Sequence, residues 1–335
     1  MTILMMLIVI VLIAFVMNWI AEAEYHHITG ELHIGAVATA RSGGEVVRTA
    51  SGRAAYVDGL NAVAASGAAN LVTAGVVKIK KSTSVLFLPG QQVWWDATNN
   101  QATYELAGSF YVGLCVDIDT VAAATTQVTV DLNVAPYYDI DIDRDGFDSA
   151  AVTTAGAPSC VREGGEYALN LEANDEAEKI DMLSRNSIAI TGDGIFEGVV
   201  NVIAASNAAL DINVGIANAT HASSADTIGE AVFVHIDGNS LNILAESDDG
   251  TTEVAATDTT KDYVLGTRFF WQIDARDPAD IQLYINGANV LPASVFVLTD
   301  GTGPMKLLAH VEKSGGADAD EVYVMKMRGY VSLAA

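Results

Sequence analysis

The sequence predicts an all-β protein: a small β-barrel or sandwich domain followed by a larger two-sheet jelly-roll sandwich, with an apolar N-terminal helix or arm. Two observations support this fold class. Short apolar runs recur at intervals of about 8 to 12 residues with Gly, Asn and Asp turns between them, a spacing typical of barrels and sandwiches. Helical periodicity is almost absent, although 50% of the 335 residues are hydrophobic and a sizeable core is expected.

The charge is unevenly distributed along the chain. The net charge is -25, and residues 136–335 carry -21 of it, whereas residues 1–135 carry only -4. This shift suggests four regions: an apolar segment (1–24), a first β domain (25–135), a linker with an Asp-rich turn (136–165) and a jelly-roll domain (166–335). An acidic chain is a poor partner for nucleic acid, because phosphate binding requires clustered Lys and Arg.

Residues 1–21 contain no charged side chain. As a helix they would span about 31 Å, which is close to the thickness of a bilayer core. Three interpretations remain open: a secretory signal that ends near Ala21-Glu22-Ala23, a membrane anchor, or an apolar arm buried against a partner.

The first β domain contains a series of short predicted strands. Pro89-Gly90 and the segment ATNNQ supply turns between them. The predicted strands are Val76–Lys80, Ser84–Leu88, Gln92–Asp96, Ala102–Leu106, Phe110–Ile118 and Gln127–Leu132. Their connections are too short for crossover helices, so a parallel sheet is not expected.

The order of these motifs resembles a family of small phage capsid decoration proteins. The matching features are Gly75-Val76, Gly90 followed by VWWD at 93–96, VGL at 112–114 and VTVDL at 128–132. The resemblance covers about a third of the chain. It implies a virion protein bound to the outside of a capsid shell, and it carries over no catalytic residue.

Two groups in this domain are candidate contacts with a capsid or another partner. Trp94 and Trp95 point to opposite faces of a strand, so one is expected in the core and the other could anchor an interface. Lys78, Lys80 and Lys81 form the densest basic cluster. They could face an acidic shell or protect an edge strand from aggregation.

An Asp run in the linker suggests calcium. Asp141, Asp143, Asp145 and Gly146 fit the first positions of a calcium loop, but its twelfth position is Val152 rather than Glu. Asp148 stands at an unusual offset. The alternative is a solvated strand that enters an Asp-Gly turn. His26, His27 and His33 could bind another metal, although a loop or strand without metal is the simpler interpretation.

The second domain contains about ten predicted strands, with Asp237-Gly238, Asp249-Gly250 and Asn286-Gly287 as hairpin turns. The segment DPADIQLYING at 277–287, followed by a long final strand, resembles the concanavalin-like jelly roll shared by laminin-G modules and many lectins. No carboxylate pair alternates on an apolar strand, and the Gly-x-Ser-x-Gly, phosphate-loop and His-Glu-x-x-His motifs are missing. We therefore expect no enzyme, and we interpret His235 as a strand residue.

The leading hypothesis is a virion protein on the outer capsid surface, bound to the major capsid protein and assembled as a homo-oligomer, most simply a trimer. The alternative is a lectin-like adhesin that binds a surface glycan, with Tyr137, Tyr138 and Tyr263 as aromatic candidates for sugar stacking. Such an adhesin could be secreted, or held at a bacterial surface or membrane through residues 1–21.

Overall fold

A computed structural model describes residues 32–36, 40–59, 62–104, 109–117, 120–134, 138–153, 155–190 and 194–331. The predicted N-terminal segment, His26, His27 and Tyr137 lie outside these residues. Among the residues described, no helix is long and apolar enough to cross a membrane. The fold is almost entirely antiparallel β, as the sequence predicts.

The chain forms two compact units. Unit 1 comprises the described residues of Met1–Lys81, Gln92–Asp117 and Gln127–Ala135. Unit 2 comprises Ser82–Gln91, Ile118–Thr126 and the described residues from Pro136 onward. Ser84–Leu88, predicted as a strand, forms only an isolated bridge between Phe87 and Val121, both of which belong to unit 2.

Unit 1 contains two antiparallel sheets. The four-stranded sheet has the order β1-β4-β3-β2, formed by β1 (Leu32–Ala36), β2 (Val46–Arg48), β3 (Ala54–Asp58) and β4 (Ala68–Val72). The five-stranded sheet has the order β5-β9-β8-β6-β7, formed by β5 (Gly75–Lys80), β6 (Gln92–Asp96), β7 (Gln101–Thr103), β8 (Ser109–Cys115) and β9 (Gln127–Leu132). A bridge between Lys81 and Ala102 brings the two edges of this second sheet together at one point.

Two residues explain how unit 1 packs so closely. A side chain at Gly113 would meet the carbonyl oxygen of Asp131 at 1.9 Å, so only glycine allows β8 and β9 to approach here. Asn133 adopts a left-handed conformation, with φ of 58°. It accepts a hydrogen bond from the Ala54 amide at 2.9 Å and donates to the carbonyls of Ala54 and Thr73.

Unit 2 is a sandwich of two eight-stranded sheets. In the first sheet the order is β12-β13-β25-β16-β21-β22-β23, and β10 also pairs with β25. Its strands are β10 (Ile140–Asp141), β12 (Ser159–Glu163), β13 (Glu166–Leu171), β16 (Gly194–Ala204), β21 (Arg268–Ala275), β22 (Gln282–Ile285), β23 (Ala288–Val290) and β25 (Asp320–Val331).

In the second sheet of unit 2 the order is β11-β14-β24-β17-β18-β19-β20, and β15 also pairs with β24. Its strands are β11 (Phe147–Val152), β14 (Glu178–Ser184), β15 (Ile188–Ala189), β17 (Leu210–Ala217), β18 (Ala231–Asp237), β19 (Asn242–Asp248), β20 (Glu253–Asp262) and β24 (Pro304–Lys313). The segment that the sequence assigned to a linker therefore contains three strands. β10 and β12 belong to the first sheet of unit 2, and β11 belongs to the second.

Side chains alternate between the two faces of the second sheet. On β17, Ile212, Val214 and Ile216 enter the core between the sheets, whereas Asp211 and Asn213 lie on the other face. A short 3₁₀ helix, Ala225–Thr227, packs on this outer face with Phe233 and Leu308. The loop between β17 and β18 thereby covers part of the outer face.

Candidate functional sites

The first candidate is the outer face of the five-stranded sheet in unit 1. On β5, Val77 and Ile79 are buried, whereas Val76, Lys78 and Lys80 are exposed. The face opposite the core of this unit therefore presents two lysines beside an exposed valine. Because β5 is an edge strand of the sheet order, both predicted roles of these lysines, partner contact and edge protection, remain compatible with their position.

The two tryptophans of β6 lie on opposite faces. Trp95 is fully buried, so its prediction as a partner contact is wrong: its indole belongs to the core. Trp94 is half-buried on the outer face, and its ring makes an edge-to-face contact with Tyr111 at 5.5 Å between centroids. The Tyr111 hydroxyl donates to the carbonyl of Val134 at 2.5 Å, which fixes the aromatic pair.

Lys81 does not belong to this exposed surface. Its side chain is buried, and burial lowers the pKa of its ammonium group. The predicted basic cluster therefore reduces to Lys78 and Lys80. These lysines and the Trp94–Tyr111 pair lie on the outer face of one sheet, with β5 two strands from Tyr111 on β8 and three strands from Trp94 on β6 in the sheet order. We call Lys78, Lys80, Trp94 and Tyr111 the outer-face group.

The second candidate is the Asp run of the predicted calcium loop. It forms a single helical turn, α1 (Ile142–Asp145), rather than a loop around one point. Asp141 is the N-cap, and its carboxylate accepts a hydrogen bond from the backbone amide of Asp143. Asp145 accepts hydrogen bonds from the Asp141 amide and the Arg144 guanidinium. The bond from Arg144 lowers the pKa of Asp145 to about 2.

Each carboxylate of this run faces an arginine. Besides the Arg144–Asp145 pair, the ion pairs are Arg162–Asp143, Arg185–Asp148 and Arg328–Asp141, at 3.3, 3.0 and 3.4 Å. Among the described residues, the oxygen atoms of these four carboxylates do not come close enough together to hold one ion. A different group of side chains does, and it is described below. The calcium site stays a prediction, and in this structure each carboxylate of the run already has a guanidinium partner.

The third candidate is a buried cluster on the outer face of the second sheet of unit 2, which the sequence analysis missed. Asp211 on β17, Asp226 in the 3₁₀ helix and His235 on β18 each offer a ligand atom, all within 4.8 Å of one another. His235 Nε2 lies 3.2 Å from Asp211, and its Nδ1 lies 3.1 Å from Glu246 on β19. Asn213 donates to both Asp211 and Asp226, at 2.8 and 3.3 Å. We call these five residues the His235 cluster.

The electrostatics of the His235 cluster follow from its burial and its charge. Burial lowers the pKa of His235, but the close carboxylates of Glu246 and Asp211 outweigh burial and raise the pKa to about 9. Burial raises the pKa of Asp211 to about 8, although the nearby His235 opposes the shift. Burial also raises the pKa of Glu246. In this cluster three carboxylates, of Asp211, Asp226 and Glu246, lie around one imidazole.

No local spacing pattern could reveal this cluster. Asp211 and His235 are far apart in the sequence, and the antiparallel register that pairs Asp211 with Asp237 and Asn213 with His235 brings them together. Asp226 reaches them because the loop folds back over the sheet face.

The structure also shows where two of the predicted sugar-stacking residues lie. Tyr138 and Tyr263 are buried, so neither ring can stack on a glycan.

Comparison with known proteins gives one sequence match and several distant structural ones. No curated protein matches the sequence significantly. The structural neighbours include a structure described with the endo-acting O-glycanases of the human gut microbiota (10% identity, 53% of this chain, 85% of that chain, TM-score 0.40). Others are the carbohydrate-binding module CBM66 from Bacillus subtilis (7%, 54%, 94%, 0.36) and the Emp47p carbohydrate recognition domain (9%, 55%, 89%, 0.37).

The sequence match covers most of unit 1 and two short segments of unit 2. Residues 29–132 match the model of a family described as phage cement protein. This range includes the nine strands that the structure describes in unit 1, the segments Ser82–Gln91 and Ile118–Thr126 of unit 2, and the glycine and tryptophan motifs of the five-stranded sheet. The resemblance seen in the sequence is thus confirmed for these residues, and this part of the chain carries the phage cement protein pattern.

Proposed function

We propose that this chain is a structural protein of a phage virion, which binds the outside of the capsid through unit 1. The observation that carries the proposal is the match of residues 29–132 to phage cement proteins. The function is binding without turnover. Many copies would stabilise the shell by mass action, because a ligand that binds only the assembled state favours that state.

The outer-face group is the surface of unit 1 that we assign to the capsid. It combines an aromatic pair, which supplies rigid contact area, with two exposed lysines, which complement an acidic partner. The contrast with the rest of the chain supports this choice, because residues 136–335 carry a net charge of -21 and would repel such a partner.

Co-sedimentation with purified capsids of the phage that encodes the chain tests this proposal. We expect the intact chain to pellet with capsids, and the variant Lys78→Glu/Lys80→Glu to bind about tenfold more weakly. The control is Lys261→Glu, which reverses an exposed charge on β20 of unit 2 and should leave binding unchanged. Equal binding of both variants would contradict the assignment of this surface, and no binding of the intact chain would contradict the function.

The assembly state follows from the same proposal. Cement proteins that sit on symmetry axes of a shell would form closed oligomers, and we propose a trimer. Light scattering coupled to size-exclusion chromatography measures the mass in solution, and labelling in cryo-EM maps of the virion locates the copies. Either of two results would contradict this part of the proposal: a chain that is found as a monomer bound to isolated capsid subunits, or density for the chain inside the head.

A further inference from the structure

We propose that the His235 cluster is a binding site for one divalent transition-metal ion, Mn²⁺ or Zn²⁺, held by Asp211, Asp226 and His235. This inference concerns unit 2 and does not depend on capsid binding. The three ligand atoms lie within 4.8 Å of one another. Two ligands at about 2.1 Å from one ion are at most about 4.2 Å apart, so a small inward shift completes the site.

The residue that can make this shift is Asp226. Its side chain is 44% exposed, whereas those of Asp211 and His235 are 19% and 5% exposed. Two ligands are therefore fixed by neighbouring strands, and the third lies in a loop at the solvent boundary. The exposed carboxylate also gives an ion a way in from solvent.

A second observation points to a missing ligand. Asn213 is fully buried on β17, its amide faces Asp211 and Asp226, and its Oδ1 has no hydrogen-bond partner among the described residues. A buried amide oxygen without a partner costs about 1 to 3 kcal/mol. His235 gives the same indication within the ligand set, because its side chain is only 5% exposed and neither ring nitrogen has a hydrogen-bond partner of good geometry among the described residues.

The charge balance favours a cation. The ion pairs that the described structure gives Asp211, Asp226 and Glu246 all go to His235. Three carboxylates thus share one imidazole, whereas each carboxylate of the Asp141 run has its own arginine. Carboxylate and amide oxygens suit Mn²⁺, and imidazole suits Zn²⁺, which restricts the class of ion.

Titration of the metal-free chain with Mn²⁺, followed by EPR, counts the bound ions, and calorimetry repeats the measurement with Zn²⁺. We expect one bound ion that Asp226→Asn weakens by about tenfold or more, since even outer partners of a metal site cost that much. The control is Asp262→Asn, an exposed carboxylate on β20 of the same sheet.

Because Asp226 is exposed, its substitution should leave the chain folded, and the melting temperature of the metal-free variant checks this. Bound Mn²⁺ should also show nitrogen coupling from the His235 imidazole in spin-echo spectra, and the intensity of this coupling should fall with Asp226→Asn in proportion to the fraction of chain that holds the ion. Absence of binding by the intact chain at millimolar ion, or binding that Asp226→Asn leaves unchanged, would overturn the proposal.

Discussion

One well-bonded polar side chain from each unit gives a comparison, a neutral and partly buried asparagine in unit 1 and a charged and buried lysine in unit 2. Unit 1 uses a neutral side chain: Asn133 makes three hydrogen bonds, to the backbone of Ala54 and Thr73. Unit 2 uses a charged one: the fully buried Lys313 donates to several backbone carbonyls, including that of Asn174 at 2.8 Å, and lies 3.5 Å from Glu178. The expected losses of stability differ, because leaving a buried charge without its partner costs more than removing the hydrogen bonds of a partly buried amide.

Each unit also contains one free cysteine, so its opening can be followed separately. Cys115 lies in unit 1 and Cys160 in unit 2. Burial raises the pKa of Cys115 to about 12 and that of Cys160 to about 11. Cys115 is buried and Cys160 partly buried, so both thiols should react more slowly with alkylating reagents than a free cysteine and should react faster when the unit around them opens.

The largest effect is expected at Lys313. Lys313→Met removes the ammonium group and leaves the buried Glu178 unpaired, so the free energy of unfolding of unit 2 should fall by about 3 to 5 kcal/mol. Alkylation of Cys160 should accelerate, and that of Cys115 should not. Lys306→Met, on the same strand but only half-buried, is the control. If the double variant Lys313→Met/Glu178→Gln regains no stability, the ion pair is not the cause.

A smaller loss is expected at Asn133. Asn133→Ala removes three hydrogen bonds and strains the left-handed backbone, which should cost unit 1 about 3 kcal/mol. Asn133→Gly tolerates that backbone conformation and isolates the hydrogen-bond contribution. Faster labelling of Cys115 alone would support the separation of the units, whereas equal acceleration of both cysteines would contradict it.

The sequence predicted the fold better than the sites, and particular residues show why. Asn286-Gly287 predicted a hairpin, and both residues have positive φ, 51° and 71°, between β22 and β23. Such turns depend on adjacent residues. The His235 cluster depends on strand register and on a loop that folds back, which no local pattern encodes. The Asp141 run fits a local motif, but three of the four arginines that pair with it, Arg162, Arg185 and Arg328, come from other segments of the chain.

A still smaller effect is expected from acid. Because the hydrogen bond from Arg144 lowers the pKa of Asp145 to about 2, the folded state binds a proton less readily than the unfolded chain. The resulting stability is present above pH 4 and is lost as the pH falls toward 2. With Arg144 half-exposed, we expect about 1 kcal/mol. Urea denaturation between pH 2 and 5 should show this slope, and Asp145→Asn should flatten it.

The smallest change in stability is expected at Trp94. Trp94→Ala removes a half-buried ring from the outer face, and we expect a loss of about 1 kcal/mol or less from its contact with Tyr111. Trp95→Ala instead leaves a cavity in the core and should lower the free energy of unfolding by about 3 to 5 kcal/mol. Denaturant unfolding monitored by Cys115 labelling distinguishes them. Equal losses at the two positions would contradict the assignment of faces.

The most direct test of the account is capsid binding by Trp94→Ala, because this variant should stay folded while losing part of the proposed contact. We measure its affinity for capsids by co-sedimentation, beside the intact chain and Lys261→Glu. The account predicts that Trp94→Ala binds about tenfold or more weakly with little change in stability. Unchanged capsid affinity in a folded Trp94→Ala variant would contradict the claim that this face of unit 1 binds the shell.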